Sequence, residues 1–202
     1  MKGVKKFFVK NYSKCWRFFL ECRWFFVVAL GLFSLFFLIG FAFPVFFRTE
    51  IIEMIKMLMA ELEGLSTLEL IGFIFFNNLK ASFMAFVFGI GLGILPVVVC
   101  IVNGYLLGFV AREAVVQEGI LTMWKIFPHG IFELPAVLFS IGIGMRLGAE
   151  VGGLEVWRFG GLRKRRGVGY VFREGLRFFV FVVFPLLVVA GIIEGMLIGI
   201  VG

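Results

Sequence analysis

Residues 81–111 read ASFMAFVFGIGLGILPVVVCIVNGYLLGFVA, an apolar run that contains no charged side chain. A helix crosses a bilayer with about 20 such residues, so the run is too long for one straight crossing. Its centre holds Gly89, Gly91, Gly93 and Pro96, and glycine and proline favour a turn over continued helix. The run therefore predicts the end of one membrane span and the whole of the next.

The chain of 202 residues has the composition of a membrane protein. It is 61% apolar, 18% aromatic and only 16% charged, whereas about a quarter of a soluble domain is charged. Cys15, Cys22 and Cys100 form no CxxC pair, which argues against a disulfide framework and a sulfur metal site. We therefore expect one all-α, polytopic membrane domain over residues 1–202, without a cofactor, in the cell membrane as a multi-pass protein.

The distribution of charge predicts the orientation of the chain. Residues 1–23 interleave seven Lys and Arg with aromatic residues, which is typical of an interfacial segment on the cytoplasmic side rather than of a nucleic-acid site. Between residues 146 and 177, eight basic residues outnumber three Glu, so this region is also predicted to be cytoplasmic. An even number of crossings must separate the two regions, and a break within residues 81–111 supplies four.

This count predicts five spans, with the N-terminus cytoplasmic and the C-terminus outside. They cover residues 24–43, 67–90, 95–112, 127–147 and 178–200. A re-entrant pair in place of the second and third spans would preserve the same parity. The cytoplasmic loop over residues 149–177 contains Arg163, Lys164, Arg165 and Arg166. Topology explains this basic run, which can also bind anionic lipid headgroups or a partner.

Residues 48–65 predict an amphipathic helix on the outer surface. Apolar side chains recur there with spacings of 4, 3, 4 and 3, at Ile51, Ile55, Leu58, Leu62 and Leu65. The region is acidic, which places it opposite the basic N-terminus. We expect it to rest on lipid or on its own bundle, and a docking face for an external partner is the alternative. Ser66 and Glu69 then have the spacing of a capping box, which predicts that the second span begins near Thr67.

Small residues stand four apart on each of the last four spans. These positions are Gly89 and Gly93, Gly104 and Gly108, Gly144 and Gly148, and Gly191, Gly195 and Gly199. In lipid, glycine lets helix backbones approach closely. These glycines, spaced four apart, predict a compact bundle. The same glycine faces could equally form a homodimer.

Polar residues within the apolar spans are the candidates for a functional site. They are Asn77, Asn78, Lys80, Asn103, His129, Glu133 and Glu194. An ionisable group within a membrane costs about 2.5 to 3.5 kcal/mol, so such groups should face a partner, a cavity or the interface. At about 1.5 Å per residue, these positions can form a single cluster in the outer half of the bundle.

The densest motif is PHGIFELPA, residues 128–136. Pro128 suits the first turn of the fourth span, with His129 and Glu133 one turn apart on one face, and Pro135 predicts a kink beside them. The pair could have a structural role, with His129 and Glu133 bonded to each other and to asparagine side chains. Alternatively, it could be part of a proton or ion path. A metal or hydrolase site is less favoured, because HxxxE supplies two ligands whereas catalytic zinc normally has three.

Three blocks together resemble the stage II sporulation protein M family of integral membrane proteins: FFNNLKASFMAFVFGIGLGI, VNGYLLG and PHGIFELPA, in this order within residues 67–148. The resemblance implies that the motif positions are Asn77, Asn78, Asn103, Gly104, Pro128, His129, Glu133 and Pro135. It also implies a membrane scaffold, because the family's namesake acts during engulfment with partner proteins that degrade peptidoglycan.

The leading hypothesis is therefore a non-enzymatic scaffold or assembly protein that binds membrane or extracytoplasmic protein partners. The alternative is a transporter or channel for a proton, ion or small solute, which would use the intramembrane histidine, glutamate and asparagine cluster.

Overall fold

A computed structural model describes residues 2–153, 157–158, 161–162 and 166–201, and it is a bundle of helices. The helices are α1 (Lys2–Ala42), α2 (Arg48–Leu62), α3 (Thr67–Val87), α4 (Ile94–Glu118), α5 (Met123–Val151), α6 (Val168–Phe178) and α7 (Phe184–Val201). Short 3-10 helices cover Phe88–Ile90 and Ile120–Thr122, and Phe179–Val183 is π-helical. Two-residue strands, β1 (Trp157–Arg158) and β2 (Gly161–Leu162), pair antiparallel. Five helical segments are long and apolar enough to cross a membrane, which confirms the predicted all-α polytopic bundle.

The predicted break in the central apolar run is present. The chain leaves α3 through the 3-10 turn Phe88–Ile90, and Leu92 and Gly93 then adopt left-handed backbone angles, with φ of 58° and 73°. Pro96 lies in the first turn of α4, where its missing N–H breaks no helical hydrogen bond. Both flanking helices are long enough to cross a bilayer, so two full spans are favoured over a re-entrant pair.

The second half of α1 runs parallel to α4. The thiol of Cys100 contacts the carbonyl oxygen of Ala29 at 3.2 Å, and one turn further along both helices Gly104 packs against Phe33. By contrast α7 runs antiparallel to α3, because Phe83 contacts Phe179 whereas Phe75 contacts Phe184. These pairings agree with spans that alternate in direction along the chain.

The basic segment predicted over residues 1–23 and the first span predicted from residue 24 belong to one helix. Residues 2–42 form one uninterrupted helix, because no glycine or proline interrupts the sequence between Gly3 and Gly31. The first half of α1 packs antiparallel along α6 and the π-helical segment after it: Glu21 lies beside Tyr170, and Tyr12 lies beside Phe181. The interfacial sequence is thus the first half of a helix that continues into the membrane.

The fourth span and the loop after it also differ from the prediction. Because α5 begins at Met123, Pro128 is not in its first turn, and the helix continues through Pro135. A membrane helix tolerates a proline when neighbouring groups satisfy the freed backbone. At the other end, Arg146 and Glu150 are buried within α5 rather than solvated in a loop. They pair with each other, which permits helix to extend where charge counting predicts loop.

The last span is longer than predicted. Helical structure starts at Val168 rather than near residue 178, and it passes through the π-helical segment into α7. The added part, α6, is amphipathic: Val171, Glu174 and Phe178 are buried, whereas Arg173 is exposed. The buried Glu174 forms an ion pair with Arg177. The connection between α5 and α6 is therefore shorter than residues 149–177.

The segment predicted to lie outside forms α2 and then the predicted capping box. On the apolar face of α2, Ile51 is buried and Ile55 is half-buried, whereas Leu58 is exposed. The Ser66 side chain accepts a hydrogen bond from the backbone N–H of Glu69, and the Ser66 N–H donates to the Glu69 carboxylate at 2.9 Å. As predicted, α3 starts at Thr67.

Candidate functional site

Glycines pack closely in the half of the bundle towards the C-terminal end of α5, called the inner half. A Cβ on Gly144 would overlap the carbonyl oxygen of Ala85, and one on Gly148 would overlap the backbone of Gly93. The turn between α3 and α4 is therefore pressed directly against α5. Such contact of backbone with backbone requires residues without side chains.

The same kind of contact joins α1 to α4. A Cβ on Gly108 would overlap the carbonyl oxygen of Phe37, and Gly104 leaves little space beside Phe33. The backbone of Gly191 is less tightly packed, since a Cβ there would stand 3.6 Å from the Phe75 ring. The predicted steps at Gly195 and Gly199 lie outside the residues whose side chains are described. The three glycine pairs of α3 to α5 thus pack within one chain, and a homodimer stays a prediction.

Beyond this closure, towards the outer ends of the helices, the bundle encloses a cleft of about 910 Å³. Residues of α1, α3, α4 and α5 line it. The polar residues that line the cleft are Ser34, Asn78, Asn103 and Glu133. Three positions predicted as a polar cluster, far apart in sequence, therefore lie around one cavity.

The polar groups of the cleft differ in their surroundings. The side-chain amide of Asn103 donates a hydrogen bond to the carbonyl oxygen of Val99 at 2.8 Å. Asn78 and Glu133 are half-buried. Sequence reasoning missed Ser34, although it is the one hydroxyl within the predicted first span.

Other predicted positions lie elsewhere. Asn77 and Lys80 are exposed on α3 and do not line the cleft, whereas Pro135 does. The side chains of Pro128, His129 and Glu194 lie outside the described residues. Among the side chains that the structure does describe, no group of three or more His, Cys, Asp or Glu could hold a metal ion.

A second polar centre lies at the inner end of the bundle. Arg146 and Glu150 form a buried ion pair, with 3.0 Å between a guanidinium nitrogen and a carboxylate oxygen. The backbone N–H of Gly167 donates to the other Glu150 oxygen at 2.6 Å. Nearby, Arg166 lies 3.5 Å from the Glu21 carboxylate, whereas Arg163, Lys164 and Arg165 are outside the described residues. The spacing of Arg146 and Glu150, one helical turn apart, was the available signal for this pair.

Comparison with known proteins supports the resemblance seen in the motifs. The family model described as Stage II sporulation protein M matches residues 29–197. The chain belongs to this family. A relative described as an uncharacterized protein, from Methanocaldococcus jannaschii, is 32% identical over 121 residues, which are 59% of this chain and 51% of the relative. The chain thus spans about half the length of that curated relative. No solved structure matches this chain.

The matched region defines which parts of this Stage II sporulation protein M family member belong to the shared core. It includes all the residues that line the cleft and the glycines that close its inner end. The basic first half of α1 precedes the match. The chain is therefore a multi-pass membrane protein of this family, with the cleft as the candidate functional site.

Proposed function

We propose that this protein is a non-enzymatic scaffold of the cell membrane that binds a protein partner through α2 on the extracytoplasmic side. The supporting observation is the exposed surface of α2. Met54, Met57 and Leu58 are all exposed, and Met57 is 71% exposed. An exposed cluster of long apolar side chains on a surface helix is typical of a binding face.

Charge favours a protein partner over the lipid surface. Glu50, Glu53 and Glu61 are exposed on α2, and Lys56 is its one lysine. Acidic side chains are repelled by anionic headgroups, whereas they complement a basic protein surface. We therefore infer a partner whose contact surface is apolar at its centre and basic at its rim.

The helix is also held in place at the outer end of the bundle. Arg48, at the start of α2, pairs with Glu113 of α4 at 3.2 Å. The hydroxyl of Tyr105 lies 3.1 Å from the carbonyl oxygen of Phe43 and 2.9 Å from that of Phe46, in the turn before α2. A helix presented by fixed contacts loses less entropy on binding than a free segment.

Site-specific photo-cross-linking in native membranes tests the scaffold proposal. A photoreactive residue at Met57 should give a discrete protein adduct, which is identified by mass spectrometry and formed again from purified components. Leu58→Gln should weaken that adduct, whereas Ser13→Ala, on the remote first half of α1, should not. Adducts with lipid alone would contradict the proposal.

A second candidate function, transport of an ion or small solute, is favoured by the cleft. Asn78, Asn103 and Glu133 line one cavity within the membrane-spanning region, and intramembrane polar residues around a cavity commonly mark a substrate path. Flux into proteoliposomes tests this candidate. Glu133→Gln should reduce flux while Asn77→Leu, outside the cleft, should not; flux that both variants leave unchanged would remove Glu133 from any path.

A further inference from the structure

The walls of the cleft are mainly apolar, and most of its polar side chains are uncharged. Of the twenty residues that line it, sixteen lack a polar side chain, and the other four are Ser34, Asn78, Asn103 and Glu133. Glu133 already has an interaction partner, so no charge on a ligand is needed to balance its carboxylate. A hydroxyl and two amides can hydrogen-bond an uncharged polar group. The lining therefore suits a largely aliphatic ligand with one uncharged, hydrogen-bonding group.

The uncharged polar residues of the cleft lie near the middle of their spans. At about 1.5 Å per residue, Asn78 is about 16 Å from the start of α3, and Asn103 is about 14 Å from the start of α4. Ser34 lies at the depth of Asn103, because its neighbour Phe33 packs against Gly104. The hydrocarbon core of a bilayer is about 30 Å thick, and a charged group at its centre is costly. A ligand whose polar group reaches this depth is therefore uncharged.

The side-chain amide of Asn78 indicates which uncharged group fits. It is half-buried and lines the cleft, and within the described part of the chain no residue forms a hydrogen bond with it. An amide among apolar groups is unfavourable without a hydrogen bond. Its NH₂ group donates and its carbonyl oxygen accepts, and a hydroxyl can likewise do both, whereas an ether or ester oxygen only accepts. A hydroxyl therefore complements Asn78 more fully.

The cleft is open at its side, along α1. Leu30, Ser34 and Leu38 follow one another at intervals of one helical turn, and all three line the cleft and are exposed. Ile131 of α5 also lines the cleft and is exposed. Both helices belong to spans that can cross a membrane, so this opening faces the hydrocarbon of a bilayer rather than bulk water. A lipid can therefore enter without crossing an aqueous phase.

We propose that the cleft binds an uncharged membrane lipid of the long-chain alcohol class, whose hydroxyl contacts Asn78 and Asn103 and whose aliphatic chain lies along the apolar walls. The volume of about 910 Å³ lies within the range of about 300 to 1,000 Å³ for small-molecule sites. The proposal concerns the same cleft as the transport candidate, but it requires binding and not flux. It is independent of the partner face on α2.

Photolabelling of the full chain in phosphatidylcholine nanodiscs tests the proposal. The probe is a twelve-carbon primary alcohol that carries a diazirine in its chain, and peptide mapping locates its adducts, which should lie on cleft-lining residues. Competitors are compared at equal mole fraction in the bilayer. Dodecanol should compete about ten-fold better than dodecyl methyl ether, which has the same chain but no donor. Nanodiscs have no second compartment, so failure of transport and failure of binding are distinguishable.

A charged competitor tests the uncharged head separately. Dodecyltrimethylammonium has the same chain and a permanent positive charge, so dodecanol should compete at least about ten-fold better than this ion. Competition by the ion as strong as that of dodecanol would overturn the proposal. Equal competition by dodecanol and the ether would also overturn it. Both comparisons use the unaltered protein and do not depend on folding of a variant.

Two adjacent asparagines provide a matched pair of variants. Asn78 lines the cleft, whereas Asn77 is exposed and does not line it. Asn78→Leu removes the amide that the hydroxyl contacts and should weaken labelling about ten-fold, and Asn77→Leu should leave labelling unchanged. Equal loss in the two variants, or adducts outside the cleft, would overturn the proposal.

Discussion

Arg146 and Glu150 form an ion pair at 3.0 Å, and only 4% and 0% of their side chains are exposed. The Arg146 guanidinium also lies 5.8 Å from the ring centre of Phe25 on α1. The Glu150 carboxylate accepts the backbone N–H of Gly167, which precedes α6. One pair on α5 therefore links α1 and α6, and it fixes the inner end of the bundle.

Removing one partner of this buried pair should be strongly destabilising. Arg146→Met leaves the Glu150 carboxylate buried without its counter-ion, so we expect a loss of about 3–5 kcal/mol in the free energy of unfolding, measured by denaturant titration in mixed micelles. The control is Arg48→Met, since Arg48 is 53% exposed in its pair with Glu113, and we expect about 1 kcal/mol or less. Equal losses in the two variants would show that the buried pair contributes no more to the free energy of unfolding than the exposed pair.

Glycines at helix contacts should tolerate no side chain. A Cβ on Gly40 would overlap the carbonyl oxygen of Tyr105, whereas one on Gly31 would meet nothing within 4 Å. Gly40→Ala should therefore destabilise by about 1–3 kcal/mol through overpacking. Gly31→Ala, on the same helix, should be neutral or stabilise by up to about 1 kcal/mol. Thermal unfolding of the two variants side by side checks this, and a Gly40→Ala protein as stable as the parent would refute the packing.

The capping box at the start of α3 should contribute measurably. Ser66→Ala removes the oxygen that accepts the Glu69 N–H, so we expect a loss of about 1 kcal/mol. Hydrogen exchange in the first turn of α3 should become faster, while exchange in α5 stays unchanged. A cap without energetic weight would leave the first turn as protected as before.

Chemical labelling should establish the orientation. Cys15, Cys22 and Cys100 are buried, so reporter cysteines can be introduced at exposed positions. A membrane-impermeant maleimide should label Glu61→Cys and Glu118→Cys in intact cells. It should label Lys10→Cys and Arg173→Cys only after permeabilisation, because basic segments stay cytoplasmic. The reverse pattern would place α2 inside and remove the proposed extracytoplasmic partner face.

Local signals in the sequence were sufficient for the number of spans. Hydropathy, the glycines before Pro96 and the Ser66 cap depend on neighbouring residues alone, and they placed the break and the start of α3 correctly. Helix ends that depend on tertiary partners were missed. The extension of α5 beyond residue 147 is supported by the buried Arg146 pair, and charge counting treats those residues as solvated.

The sequence by itself determined that this is a helical membrane protein of the Stage II sporulation protein M family, because apolar length and short motifs are local properties. Only the tertiary structure decided which polar residues share a cavity. Asn77 and Asn78 are chemically identical neighbours, yet one is exposed on α3 and the other lines the cleft with Asn103 and Glu133. Successive residues of a helix point about 100° apart, so the packing of α3 against its neighbours selects between them.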